Sequence, residues 1–243
     1  MNFLKKCARL LIIAILCGLS ACTTPTPTAP TNNATVTSSP SPSPSNTTVA
    51  NTKSLPKSLV DAGEYGENIY DYAKANNWAK AKARLATLKQ AVKQLRGDLQ
   101  GVSADEDKLD SNIAALDKAV AVKDRQAALR EANQTTRIVA DLTAPFNLPV
   151  PIGVTRLDYL GRELEIWAEA KDAAKLKSTG DEMRRTWDAL RPQVEVHKGG
   201  ANEAKRFGDL VARLEAAKTP DEYARLATPI LDEVDNLEKV FKK

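Results

Sequence analysis

From Leu55 to the C-terminus, apolar residues recur at alternating spacings of three and four, the period that places them on one face of an α-helix. The cleanest run is Trp78, Ala81, Leu85, Leu88, Val92 and Leu95. No segment alternates apolar and polar residues in strand fashion, so the pattern predicts an all-α fold. Moving each of those positions on by 95 gives Ala173, Leu176, Gly180, Met183, Trp187 and Leu190, a second run of the same kind. Identities recur at the same offset: Gly66 with Gly161, Ala73 with Ala168, Lys80 with Lys175, Lys82 with Lys177, and Leu95-Arg96 with Leu190-Arg191. Ala132, Val139, Leu142 and Phe146 likewise match Ala227, Val234, Leu237 and Phe241. A shared helical phase could arise by chance, but the coincidence of glycine, a Leu-Arg pair and a terminal phenylalanine indicates an internal duplication. The expected domains are a first helical repeat over 54–148 and a second over 149–243.

Each copy divides into four helices at its breakers. Helix one is expected from about Lys57 to Ala75, burying Leu59, Ala62, Gly66, Ile69 and Ala73. Asn77 and its equivalent Asp172 are N-cap candidates, since both side chains accept from first-turn amides. Gly97 to Gly101 should stop helix two, and Ser103 with Glu106 forms a capping box for helix three, which carries Leu109, Ile113, Leu116 and Val120. Helix four follows Asp124 and reaches Thr143, where Pro145, Pro149 and Pro151 form the bridge to the second copy.

In that copy Leu157, Leu160, Leu164 and Trp167 line the first helix, and Pro192 is expected to close the second. Phe207, Leu210 and Leu214 match Ile113, Leu116 and Val120 at an offset of 94, which puts helix three one residue out of step after a shorter loop at Gly199-Gly200. Thr219-Pro220-Asp221-Glu222 is a strong helix start, and Pro229 should kink the last helix. Short connections make successive helices antiparallel. The expected architecture is two tandem four-helix up-down units preceded by a disordered tether.

The N-terminus changes the picture from fold to address. Lys5, Lys6 and Arg9 precede a short apolar run, Leu10 to Leu16, which has the layout of a secretory leader and is too short to span a bilayer. It ends in Leu19-Ser20-Ala21-Cys22, which resembles the lipobox of bacterial lipoproteins. That resemblance covers only the first two dozen residues. It implies cleavage of residues 1–21, diacylation of Cys22, and a domain held at the cell membrane or outer membrane, facing the periplasm or exterior. Thr23 rather than an aspartate follows the cysteine, which in Gram-negative members of the class favours the outer membrane. Residues 22–53 are rich in Thr, Pro, Ser and Asn, with little to bury, and should form a tether reaching about 30 Å as a coil and up to roughly 90 Å as extended polyproline II.

Charge and cysteine usage then exclude several functions. Three of the 35 basic residues lie in the leader, leaving 32 against 31 acidic ones, so no case for nucleic acid survives. Cys7 and Cys17 leave with the leader and Cys22 is taken by lipid, which removes thiols from disulfide, redox or metal roles. His197 is the one histidine and falls in an expected loop, so neither a Ser-His triad nor the Glu-x-x-His di-metal pattern of helical bundles can be assembled. The outline resembles other periplasmic helical bundles, imelysin-type proteins among them, without their histidine-and-glutamate metal motif. No cofactor, metal site or catalytic residue is expected.

Two groups of residues remain. Asp61, Glu64, Glu67 and Asp71 lie at helical spacing and read as a solvated acidic face, as do Asp232, Glu233, Asp235 and Glu238 near the C-terminus. The aromatic residues Tyr65, Tyr70, Tyr72, Trp78 and Trp167 could form a wall for a ligand or partner, or plug the end of an alanine-rich bundle; Tyr65 and Tyr70 flank the apolar stripe and are expected on the surface. The leading expectation is a non-enzymatic interaction or scaffold module that meets another envelope protein or wall component, displaying an apolar patch of several hundred Å². The rival is a small-ligand or metal-binding lipoprotein working with a transporter, with a pocket between the copies lined by Tyr72, Trp78 and Trp167.

Overall fold

A computed structural model describes residues 54–99 and 105–242. The leader, Cys22, the whole tether, Gly101 and the Ser103–Glu106 capping box lie outside the described residues or side chains. Eight helices and no strand occur among the described residues: α1 Lys57–Lys74, α2 Trp78–Leu99, α3 Asp105–Val122, α4 Arg125–Leu142, α5 Ile152–Ala170, α6 Ala173–Glu195, α7 Gly200–Ala216 and α8 Pro220–Phe241. The protein is all-α, two four-helix up-down copies of one unit.

The duplication is visible in the helix starts. α1 and α5, α2 and α6, α3 and α7, and α4 and α8 each begin 95 residues apart. The turn after the first helix is the same device in both copies. Asn76 and Lys171 adopt left-handed backbone (φ 55° and 54°), and the following amides of Asn77 and Asp172 reach back to the carbonyls of Tyr72 and Trp167. Asn77 and Asp172 then cap the next helix, accepting from the amides of Lys80 and Lys175 at 3.2 and 2.9 Å. Asp124 and Thr219 cap α4 and α8, the latter with the full reciprocal capping box to Glu222.

α2 ends at Leu99, inside the expected stop; it passes Gly97, because an exposed glycine only weakens a helix whose opposite face buries Leu95 and Leu99. Two other features differ from expectation. α6 passes Pro192 and continues to Glu195, with Val194 buried beyond it, so the lost amide costs less than the packing returns. α7 keeps the 95-residue register: Ala204, Phe207, Val211 and Leu214 are buried where Leu109, Asn112, Leu116 and Ala119 are buried in α3. The 94-residue offset followed apolar letters and missed that position 112 holds a buried asparagine.

Each copy closes around its own core. In the first, α1 packs on α2 and α4, and α3 on α2 and α4, around Leu59, Ile69, Leu88, Leu95, Leu116 and Leu129. In the second, α5 packs on α6 and α8, and α7 on α6 and α8, around Leu157, Leu164, Met183, Trp187, Phe207 and Ile230. Gly66 and Gly161 sit where the first and last helices of each copy approach most closely. A Cβ on Gly66 would lie 3.1 Å from Thr136 Cγ2, and one on Gly161 2.6 Å from Leu231 Cδ2.

Candidate functional site

The polar chemistry of the fold concentrates in the seam where α1 and α4 of the first copy meet α5 of the second. Tyr70 donates to Glu165 Oε2 at 2.9 Å, and Lys74 reaches the same oxygen at 2.5 Å. Arg162 lies between Asp158 (3.1 Å) and Glu67 (3.5 Å), with its guanidinium 5.4 Å from the Tyr70 ring centre. Glu67 and Arg162 are equivalent positions of the two copies, and so are Tyr70 and Glu165. Contacts at a constant offset mean that α1 and α5 run parallel and in register. Along α4 the pairing descends instead: Arg125 meets Glu169, Gln126 the carbonyl of Ile166, Asn133 the carbonyl of Tyr159, and Asp141 meets Arg156. α4 is therefore antiparallel to α5. The second copy sits beside the first, facing the same way, as successive units of a solenoid do.

This arrangement accounts for the acidic face of α1. The α5 positions that receive α4 include Arg156, Tyr159 and Ile166, and their equivalents on α1 are Asp61, Glu64 and Asp71. Ile166 is fully buried and belongs to the first copy's core, whereas Asp71 is exposed. α8, the equivalent of α4, likewise presents exposed Asp221, Thr228, Pro229 and Asp232 where α4 presents Gln126, Asn133, Gln134 and Arg137. Both ends of the two-unit stack are polar caps.

The solvated reading fails for Asp61 and Glu67 in the first acidic set, and for Glu233 in the second. Glu67 points into the seam, and burial beside Asp158 and Asp71 pushes its carboxyl up to about 7 against the opposing pull of Arg162. Glu233 is 7 % exposed and accepts from Arg206 Nε at 3.1 Å and from Asn236 at 3.0 Å. No group of three His, Cys, Asp or Glu side chains suited to a metal occurs among the described residues. His197 is exposed between α6 and α7, edge-on to Phe241 at 4.7 Å between ring centres.

The aromatic candidates do not form one wall. Tyr70 is 2 % exposed, not on the surface, because α5 covers it; sequence periodicity within α1 carries no information about a helix from the other copy. Tyr65, Tyr72 and Trp78 are half-buried against the first core, with Arg84 4.9 Å from the Tyr65 ring centre and Lys80 5.7 Å from that of Tyr72. Trp167 packs against both cores and donates its indole N–H to Glu163 at 2.5 Å, under Lys175. These rings pack against the fold itself, and all but Trp78 have a cation over a face.

Two grooves lie elsewhere. One of about 590 Å³ runs along the bridge between the copies, lined by Phe146, Leu148, Gly153, Arg156, Glu182 and Arg185 among others. The other, of about 490 Å³, opens between α3 and α4. Neither is lined by Tyr72, Trp78 or Trp167. The expected apolar patch is also not on the described surface, whose large exposed apolar side chains are Val122 and Val196, on different helices. What the described surface offers instead is charge, most unevenly on α2, which carries six cations and the single acid Asp98. Lys82, Lys89, Lys93 and Arg96 fall along one side of it, at spacings of seven, four and three. Lys89 and Arg96 pair with Asp117 and Asp110 of α3, while Lys82 and Lys93 are exposed and pair with no described carboxylate. Its equivalent α6 carries five cations and four acids, so the bias belongs to one copy. No protein-family model, curated protein or solved structure matches this chain.

Proposed function

We propose that this is a lipid-tethered protein of the bacterial cell envelope that works by surface contact, a non-enzymatic interaction or scaffold module whose partner is an anionic envelope protein or wall component. The observation that carries the reading is the one-sided charge of α2, six cations against one acid where the equivalent α6 has five against four. Lys89 and Arg96 are paired with α3, whereas Lys82 and Lys93 on the same side present charge outward. Such a stripe steers an acidic partner and does so with strong salt dependence. The lipid on Cys22 would hold the protein at the membrane, and the tether would let the stripe search a shell of tens of Å around the anchor.

The test separates contact from anchoring. A Cys22→Ser chain, which takes no lipid, is mixed with the cell-envelope fraction and sedimented. Retention at low salt, release at high salt, and a several-fold loss of retention in the Lys82→Glu/Lys93→Glu variant are expected. Equal retention of that variant, or none of the parent, contradicts the reading.

A further inference from the structure

The two copies share a fold, so a side-chain arrangement kept by only one of them needs its own reason. At the start of α1, Lys57 pairs with Asp61 at 2.6 Å, and Ser58 donates to Asp98 in the last turn of α2. The equivalent positions of the second copy hold Ile152, Arg156, Gly153 and Gln193. Both polar links are gone: an isoleucine replaces the cation, and glycine withdraws the side chain that crossed to the next helix. At Gly153 the backbone comes close to α6 instead, where an added Cβ would lie 3.2 Å from Leu190 Cδ1. The bridge between the copies runs past this place, and the groove of about 590 Å³ opens between the bridge, α5 and α6.

The groove has a charged end and an apolar end. On α6, Arg185 is followed by Ala189 and Gln193, about 6 and 12 Å further along the axis. Because Gly153 packs on Leu190, the first turn of α5 lies over the apolar stretch, and Arg156, one turn on, lies toward the charged one. Phe146 and Leu148 of the bridge complete the apolar lining.

Three of the lining side chains are charged, and two of them are engaged with α4. Arg156 is bound to Asp141 at 2.9 Å, and Glu182 to Arg137 at 3.5 Å. Arg185 is exposed and pairs with no described carboxylate. Asp181 and Asp188, its neighbours along α6, are held by Lys177 and Arg184 at 2.8 and 3.1 Å. Glu182, three residues before Arg185, is spaced to neutralise it, but Arg137 draws that carboxylate to α4. Each engaged pair is neutral, so the uncompensated charge of the groove is one guanidinium. Its planar fork of donors matches a carboxylate, beside a surface that suits an apolar body.

We propose that this groove binds a small molecule bearing a carboxylate on a short apolar body. Arg185 receives the carboxylate, and the body lies on Phe146, Leu148 and Ile152 against Ala189. Arg137 is a positioning residue: by holding Glu182 it keeps the guanidinium open to the ligand.

Benzoate and benzamide, alike in shape and different in charge, are titrated against the full chain in detergent, with the Ile152 methyl resonance as reporter. Saturable movement with benzoate is expected, at an affinity at least about ten-fold above that of benzamide, the discrimination of one charge-assisted contact. Arg185→Gln should lose about ten-fold in benzoate affinity and leave benzamide unchanged. Ala189→Trp, at an exposed position, fills the groove; it should melt as the parent does and bind neither probe. Lys82→Glu/Lys93→Glu should bind benzoate as the parent does, which separates this site from general attraction to cations. Equal affinity for the two probes, no saturable movement with benzoate, binding undiminished in either groove variant, or binding weakened in the α2 variant overturns the proposal.

Discussion

Tyr70 donates a hydrogen bond to Glu165, and the two residues occupy the same position in their respective copies, 95 residues apart. The same holds for Glu67 and Arg162. The constant offset makes α1 and α5 parallel neighbours. A two-fold relation would also pack α8 on α1 as α4 packs on α5, and it does not, so the second copy continues the first by translation. That relation explains the acids on α1 and the polar outer face of α8, where the stack ends.

Glu67 makes the seam sensitive to pH. Its carboxyl is raised from an ordinary 4.5 to about 7, by burial first and by Asp158 and Asp71 next. Below 4.5 both folded and unfolded chains carry the proton. Between 4.5 and about 7 the unfolded chain releases it first, so stability falls as pH rises through that window and is level above it. The loss is on the order of 1–3 kcal/mol. Urea unfolding at pH 4.5 and pH 8 should show it in the parent, and Glu67→Gln should remove this part of the difference, leaving Arg162 paired with Asp158 at 3.1 Å.

Trp187 and its equivalent Val92 should respond unequally to truncation. Trp187 is 1 % exposed and packed at a tilt against Phe207, so Trp187→Ala should cost about 3–5 kcal/mol. Val92→Ala, which removes far less buried surface, should cost about 1–2 kcal/mol. Denaturant midpoints with unchanged slopes measure both; equal costs would mean that the two copies are packed alike.

Two glycines give opposite signs. Gly97 is exposed in α2 with nothing within 4 Å of an added Cβ, and Gly97→Ala should stabilise by about 0.5–1 kcal/mol. Gly200 begins α7 with its Cβ direction blocked, 1.8 Å from the Val194 carbonyl oxygen, and Gly200→Ala should cost about 2 kcal/mol or more. Thermal melts of the two variants rank these directly.

The extent to which these features could be read in advance follows the range of the forces involved. Helix phase, the N-caps Asn77, Asp172 and Asp124, the start at Thr219 and the 95-residue repeat are local or self-similar, and apolar spacing with cap chemistry reveals them. The burial of Tyr70 and Glu67 depends on α5, roughly 95 residues away, and no signal within α1 reports it. The equivalence of Glu67 with Arg162 was nevertheless legible as opposite charge at one repeat position. Apolar spacing conceals Asn112: pairing Phe207 with Ile113 shifts the register by one, whereas the fold sets Asn112 at the position of Phe207.

The anchor has its own check. Intact-mass spectrometry of the membrane-extracted protein should find a chain beginning at Cys22 whose sulfur carries a diacylglyceryl group, and Cys22→Ser should leave the leader attached and the lipid mass missing.

The parallel placement of the copies is the claim on which the seam, the caps and the groove comparison rest, and pulsed electron spin resonance on pairs of spin-labelled cysteines tests it most directly. The chain from Thr52 onward has no native cysteine to interfere. Labels at Asp61 with Arg156 and at Lys74 with Glu169 should give two similar, short distances, and Asp61 with Glu169 a longer one, since 13 helical residues add an axial offset of about 20 Å. A short Asp61–Glu169 distance with two long ones would make α1 and α5 antiparallel and contradict the account.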